Sequence, residues 1–294
     1  MLNGQPASPF YDDMNLMLPR DRREMTAWNR HYYSTHPLIH NWIEEVVGQV
    51  CCGFNLTAMD DCNNNELRIY KDAFFDKKGN FRHNSTLRDM TKELNIIGET
   101  IPYVEVDEKN GTFDIALHNP DFVNIKKNLD GNSMSLVPDD NLVKLVNSKE
   151  KKDIDLTKTI DKEVVRHVRA RKDIPLSPIL VSHLAMMGSP YDLRGTSRIV
   201  KYLKSLLVDD KLREMAFENN INYVVSKDLV ESMRAECESE SFKHSLQNQR
   251  NMLEEFLINK IFKPFQRLHS IKGSVGISWT SPIDTDNFKF LFKN

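Results

Sequence analysis

The amino-acid sequence predicts an α+β fold. Apolar residues recur at helical spacing toward both ends of the chain, and a middle region from residue 100 to 126 holds short β-prone runs separated by turn residues. No internal repeat or low-complexity tract points instead to a solenoid or a disordered chain.

Taken in order, Arg20–Ser34 places Met25, Trp28 and Tyr32 on one helical stripe. Thr35 is the expected N-cap of a second helix, with Pro37 in its first turn and Leu38, Ile39, Trp42, Ile43, Val46 and Val47 on its buried side. A polar stretch around Asn63–Asn65 follows. Ser85 opens a third helix carrying Leu87, Met90, Leu94 and Ile97, which Gly98 ends.

Thr100–Val106 and Thr112–His118 flank a turn-rich connection and read as a hairpin, with Pro102 confining the first strand to an edge or a bulge. Asn119-Pro120-Asp121 is a further turn, and Phe122–Lys126 a third strand. Pro138-Asp139-Asp140 starts a short helix to Val146, and Asp161–Lys172 is another, with Lys149–Lys158 between them as a charged surface loop. Pro175–Pro178 introduces a strand at Ile179–Leu184.

Thr196 or Ser197 then caps the longest helix, reaching about Phe217. Its apolar side holds Ile199, Val200, Leu203, Leu206, Leu207 and Met215, and the remainder holds Lys201, Lys204, Lys211 and Arg213. Asn219–Val225 is ambiguous, Asp228–Glu240 is helical, and Leu246–Leu268 is a second long helix. Pro264 must disturb that helix, because its ring clashes with the carbonyl of Lys260 and it lacks an N–H. The tail ends in two strand-like runs, VGISW and FKFLF.

The chain has 294 residues, 40% of them hydrophobic and 28% charged, enough for a sizeable core without disulfides or metals. Forty basic against 42 acidic side chains leave a net charge of −2, which argues against a broad basic surface that grips nucleic acid tightly. Cys51, Cys52, Cys62 and Cys237 are too few and too irregular for a disulfide framework, and a reducing cytoplasm fits them. No signal-peptide pattern opens the sequence, and no apolar run is long enough to span a membrane.

Chemistry-bearing motifs are sparse. His36 and His40 share a helix face at a spacing that zinc sites use, near His31 and the paired cysteines, but no acidic partner stands between them. Asp139 with Glu150, Lys151 and Lys152 can be assembled into a metal-dependent nuclease site, the alternative functional reading. A helix cap and a solvated charge run explain the same residues. The loop Gly188–Gly195 (GSPYDLRG) precedes a helix yet lacks the order of a phosphate-binding loop, so it reads as a structural turn. The sequence thus indicates no catalytic residue, cofactor or metal.

The order of segments carries more information than any single motif. RDRREMTAWNRHYYSTHPLIHNWIEEVV, ELNIIGETIPYVEV, LHNPDFVNI, LVPDDNLVKLV and IPLSPILVSHLAMMGSPYDLRGTSRIVKYLKSLLVDDKLREM follow one another over residues 8–217. Together they resemble the portal, or head-to-tail connector, proteins of tailed bacteriophages. EEFLINKIFKPFQRL, Glu254–Leu268, resembles a later helix of the same family.

That resemblance implies a non-enzymatic virion subunit forming a cyclic homo-oligomer, a dodecamer, at one capsid vertex. Double-stranded DNA would pass through its channel, with the major capsid protein, a terminase motor and tail or neck adaptors as partners. It implies a wing-like region at 1–195, a stem helix and shortened connector at 196–245, and a kinked channel-side helix with terminal strands at 246–294. The clip and crown are expected to be reduced or absent. Lys201, Lys204, Lys211 and Arg213 would then face the stem or a neighbouring subunit, and Lys260, Lys263 and Arg267 the DNA channel.

Overall fold

The computed structural model describes residues 21–59, 62–107, 111–128, 131–186, 192–219, 221 and 223–292. It is a mixed α+β fold with small open antiparallel sheets. Residues 8–20 of the first resembling segment and 188–191 of the glycine-containing loop lie outside the described residues, as do 108–110 of the hairpin connection.

Helix α1, Arg22–Thr35, is capped by Asp21, whose carboxylate accepts from the Arg23 and Glu24 N–H groups. The cap of α2, Pro37–Val50, is His36 and not Thr35. Thr35 finishes α1, its hydroxyl donating to the His31 carbonyl, and Pro37 takes the first helical position where a missing N–H costs nothing. On α2, Ile39, Trp42, Ile43, Val46, Val47 and Val50 have no exposed surface. At roughly 2 kcal/mol for each fully buried side chain, this helix anchors the core.

Two elements escape the sequence reading here. Strand β1, Phe54–Met59, pairs antiparallel with β8, Ser274–Trp279, near the other end of the chain, with Phe54 opposite Trp279. Helix α3, Asn64–Phe74, grows out of the asparagine run. Asn63 accepts from the Asn65 and Glu66 N–H groups while Glu66 accepts from the Asn63 N–H, a reciprocal capping box that turns a turn-like sequence into a helix start.

Helix α4, Asn84–Ile96, buries Leu87, Met90 and Leu94 and ends before Gly98. Strands β2, Glu99–Asp107, and β3, Thr112–His118, form the expected hairpin. Pro102, however, lies in the middle strand of a three-stranded sheet ordered β3-β2-β7, where β7 is Leu184–Ala185. The second ladder tolerates it by breaking. Ser182 donates to the Pro102 carbonyl, but Pro102 has no N–H to return, so pairing resumes only at the bridge between Tyr103 and Val181.

The strand expected over Ile179–Leu184 shrinks accordingly to β7. Leu180 and Val181 both donate to the Ser177 carbonyl in a turn, leaving Ile179 77% exposed. A second sheet, β4-β5-β6, comprises Val123–Asn128, Gly131–Leu136 and Ile174–Pro175. Three short helices follow β5: α5, Asp140–Asn147; α6, Lys151–Thr157; and α7, Lys162–Arg169. The stretch read as a charged loop is therefore helical. Oppositely charged residues one turn apart, such as Asp155 and Lys158 at 2.8 Å, favour the helix although it buries no residue.

The long helix starts later than its sequence suggests. Residues 198 and 199 bend, Val200–Tyr202 form a 3-10 turn, and α8 runs from Leu203 to Glu218. The longest regular helix is instead α10, Glu240–Leu257, which follows α9, Lys227–Cys237. The disturbance expected at Pro264 takes the form of a π-helical segment, Ile258–Phe262, before α11, Lys263–Leu268. Widening the turn by one residue moves the carbonyls away from the proline ring and keeps Ile261, Phe262 and Phe265 buried.

FKFLF is not a strand. Residues Asp286–Phe292 form a 3-10 turn that buries Phe288 and Phe292 and exposes Phe290, whereas strand alternation would put all three on one side.

One main apolar core joins α2, α4, α8, α9, α10, α11 and the C-terminal turn, so it runs across both expected boundaries, at residues 195 and 245. A smaller cluster of Val146, Val168 and Ile174 underlies α5–α7. Two glycines fix the crossing between α4 and the segment leading to α8. Gly98 has a φ of 92°, and a β-carbon on Gly195 would stand 1.8 Å from the Gly98 carbonyl oxygen. Gly195→Ala must push two backbones apart, and we expect it to lower unfolding stability by about 3 kcal/mol in denaturant melts. A loss of only a few tenths would mean that the crossing yields easily.

Candidate functional site

The sequence-derived cations fall on two separate parts of the molecule. Lys201, Lys204, Lys211 and Arg213 belong to α8 and the turn before it, and α8 packs on α9. Lys260, Lys263 and Arg267 belong to the π segment and α11, which continue α10 along the chain. They do not converge on one cleft.

Most of these cations are held within the chain. Lys201 is ion-paired with Glu236 and sits 5.2 Å from the centre of the Tyr202 ring. Glu236 also receives the Tyr202 hydroxyl and lies 3.5 Å from Arg198. Burial raises the Tyr202 phenol above its ordinary value, and the neighbouring Glu236 carboxylate adds to that. Arg213 pairs with Asp210 at 2.6 Å, one turn away. Lys204 and Lys211 are exposed.

Lys260 donates to the Pro178 and Ile179 carbonyls at 2.6 and 3.1 Å, clamping the turn between β6 and β7 onto the π segment. Burial lowers its pKa. Lys263 donates to Asn259 at 2.8 Å, and Arg267 is exposed on α11, four residues after Lys263 and on the same face.

The root of α8 is tightly fixed. Ile199, Leu203 and Leu206 have no exposed surface, and Asp209, 1% exposed, accepts from the Ser226 N–H at 2.6 Å and faces His36 Nε2 at 3.2 Å. Burial opposes the charge on Asp209. The hydrogen bonds from His36 and Ser226 nevertheless hold its carboxyl below the usual range. The tip and the segment after it are different: Leu212, Met215 and Phe217 on α8, and Ile221 and Val224 beyond its end, are 45 to 84% exposed. Only Met215 of these was read from the sequence, and it was assigned to the apolar side facing the core.

The strongest electrostatic feature escapes sequence reading altogether. Glu99, with no exposed side-chain surface, meets Arg22, Arg194 at 2.8 Å and His183 at 2.9 Å, and it accepts from the Gly195 N–H at 3.3 Å. Arg22 also lies 3.6 Å from Asp121. Burial raises the Glu99 pKa, but the His183 hydrogen bond and the two guanidiniums outweigh it, so the carboxyl stays ionised below its ordinary value. A charged residue directly after a helix-ending glycine and within an otherwise apolar run was the available signal.

The remaining sequence candidates sit as follows. His36 is buried against Asp209, and His40 stacks on Tyr33 with its Nδ1 3.3 Å from the Tyr33 carbonyl. Among the described residues no group of three His, Cys, Asp or Glu side chains could hold a metal ion. Asp139 caps α5, accepting from the Leu142 N–H at 2.7 Å, and Glu150 stands at the start of α6, with Lys151 and Lys152 in its first turn. All four cysteines are free thiols. Trp42 donates to the Cys237 sulfur, whose pKa burial pushes up to about 12. Among the described residues no helix is long and apolar enough to cross a membrane.

Comparison of the sequence with protein-family models and with curated proteins returned no match.

Glu99→Gln leaves Arg22 and Arg194 facing a neutral amide, and we expect it to cost about 3 kcal/mol of stability, measured by urea unfolding at neutral pH. The folded-state pKa of Glu99 is depressed, so its contribution is complete above the unfolded carboxyl value and disappears as pH falls through the folded one. The wild type and Glu99→Gln should therefore converge in stability only once the pH has fallen below the depressed folded-state value of Glu99, on the acid side of an ordinary glutamate's titration. A constant gap across pH would show that Glu99 acts through shape alone.

Proposed function

We propose that this chain is a structural subunit of a ring-shaped bacteriophage portal. Double-stranded DNA enters and leaves the capsid through the ring, and the terminase motor, the major capsid protein and the tail or neck adaptors dock on it. The observation that carries the reading is the ordered series of portal-like segments over residues 8–217, above all the stretch from Ile174 through Met215. No single segment would be enough.

The fold gives this reading physical support. Helix α8, the counterpart of a stem helix, has a root fixed by buried Leu203, Leu206 and Asp209 and a tip that carries exposed apolar side chains. A subunit that closes a ring must leave such surface for its neighbour, because association is driven chiefly by apolar burial. A dodecamer in the virion, assembled in the host cytoplasm, remains the proposed state.

Native mass spectrometry and negative-stain imaging of the purified chain should show closed rings. A species that stays monomeric up to its solubility limit would count against the proposal. Phe217 is 84% exposed, so Phe217→Asp should change monomer stability by no more than about 0.5 kcal/mol. The same change should deplete the ring population. Rings that form undiminished in that variant would remove the α8 tip from the interface.

A further inference from the structure

Helices α5, α6 and α7 enclose an open groove of about 900 Å³ to which the portal reading assigns no role. Its floor is apolar: Val146, Ile154, Ile160 and Val165 line it, and Ile154 is 43% exposed. Its rim is cationic. Lys162, Arg166 and Arg169 stand at i, i+4 and i+7 along one face of α7, and Lys158 adds a fourth charge. Asp155 and Glu163 pair with Lys158 and Arg166 from outside the groove. Among the described residues Lys162 and Arg169 make no ion pair, and no carboxylate lines the groove. Its occupant must combine an apolar side chain with flanking carboxylates.

The tip of α8 offers that combination. Phe217 is 84% exposed, and Glu214 stands three residues before it and four before Glu218, so the three share one side of the helix. Both glutamates are exposed, and among the described residues neither makes an ion pair. The cations of this stretch, Lys211 and Arg213, lie a turn or more before Phe217, and Arg213 is bound to Asp210. A helix about 10 Å across fills roughly 420 Å³ per turn, so the groove holds about two turns, the span from Leu212 to Glu218.

Helix α8 packs on α9 and on the turn before it, whereas α5, α6 and α7 pack on one another and on β6. The two surfaces therefore belong to different parts of the chain. Complementary but different patches on identical chains make a head-to-tail contact, which closes into a ring where the rotation allows it.

We propose that the groove between α5, α6 and α7 receives the α8 tip of a second copy of this chain, with Phe217 on the apolar floor and Glu214 and Glu218 against Lys162, Arg166 and Arg169. This contact rests on the self-association in the portal reading, and it needs neither DNA nor a capsid.

The test uses the full chain with a photoreactive benzophenone side chain in place of Phe217, as a mixture of isotopically heavy and light copies. Irradiation followed by peptide mapping should find cross-links from position 217 to residues 146–170 of the other copy. Arg166→Glu with Arg169→Glu should lower their yield about tenfold, because carboxylates then face carboxylates. Adding Glu214→Arg and Glu218→Arg to the same chain should restore the yield to within about twofold. All four side chains are exposed, and an unchanged melting temperature and circular dichroism spectrum will show that each variant is folded. The position of the cross-links in the chain without charge changes decides the matter even where a variant fails to fold. Cross-links within one copy, cross-links between copies at other residues, or a yield indifferent to both charge changes in folded protein would overturn the contact. Native mass spectrometry of the same samples separates the two possible failures. Rings whose cross-links fall elsewhere sink this contact alone, whereas cross-links to residues 146–170 in dimers or open chains sink the closed ring alone. A chain that stays monomeric up to its solubility limit, with no cross-link between copies, sinks both.

Discussion

Glu99 has no exposed side-chain surface, and its charge persists inside the protein only because cations and donors from distant parts of the sequence meet it. Arg22 comes from the start of α1, His183 from the residue before β7, and Arg194 with the Gly195 N–H from the segment that leads to α8. None of these segments could shift alone without leaving an ion unpaired in a low-dielectric environment. The backbone enforces the same registration, since Gly98 and Gly195 approach so closely that neither admits a side chain. Met186 donates to the Gly98 carbonyl and Thr196 to the Met186 carbonyl, completing the crossing. The direction in which α8 leaves the core is thus fixed where β2 begins, about a hundred residues earlier in the chain.

Pro102 and Pro264 show how the fold absorbs residues that break local rules. Pro102 lies inside a central strand, so one ladder is interrupted and the segment after Ser177 becomes a turn. Pro264 lies inside a helical run, so one turn widens to a π-helix. Both adjustments converge on one contact: the turn freed by the broken ladder is held by Lys260, which the π segment presents to its carbonyls. A lysine read from sequence as a phosphate contact is in this fold the tie between two irregularities.

The contrast between what was legible and what was not follows from the range of the interactions. Helices α1, α2, α4, α5 and α7 and the β2–β3 hairpin are written in local periodicity and capping residues, and their boundaries agree to within a few residues. Strand β1 was invisible because its partner β8 lies more than 200 residues away, and FNLTAM has no alternation strong enough to stand alone. FKFLF misled because Phe288 and Phe292 fit a helical turn as well as a strand. Alpha8 misled more deeply. Its apolar residues spread around the helix, so periodicity could not separate the buried Leu203 and Leu206 from the exposed Met215 and Phe217. The Glu99 site leaves only its lone charge after Gly98 as a local sign, since its partners Arg22, His183 and Arg194 come from segments that only the tertiary fold brings together.

The state of the cations bears directly on the proposed DNA passage. Lys201 is bound to Glu236, Arg213 to Asp210, Lys260 to two carbonyls and Lys263 to an amide oxygen. A phosphate approaching such groups must compete with partners already in place, so fewer counterions are released per contact than from a bare lysine array. Binding that is weak per contact and spread over many copies suits a wall along which a polyanion slides, because no single position becomes a trap. The net charge of −2 acts in the same direction. Strong attraction would raise affinity and slow escape together, whereas a pre-paired surface shapes a path for the duplex without holding it.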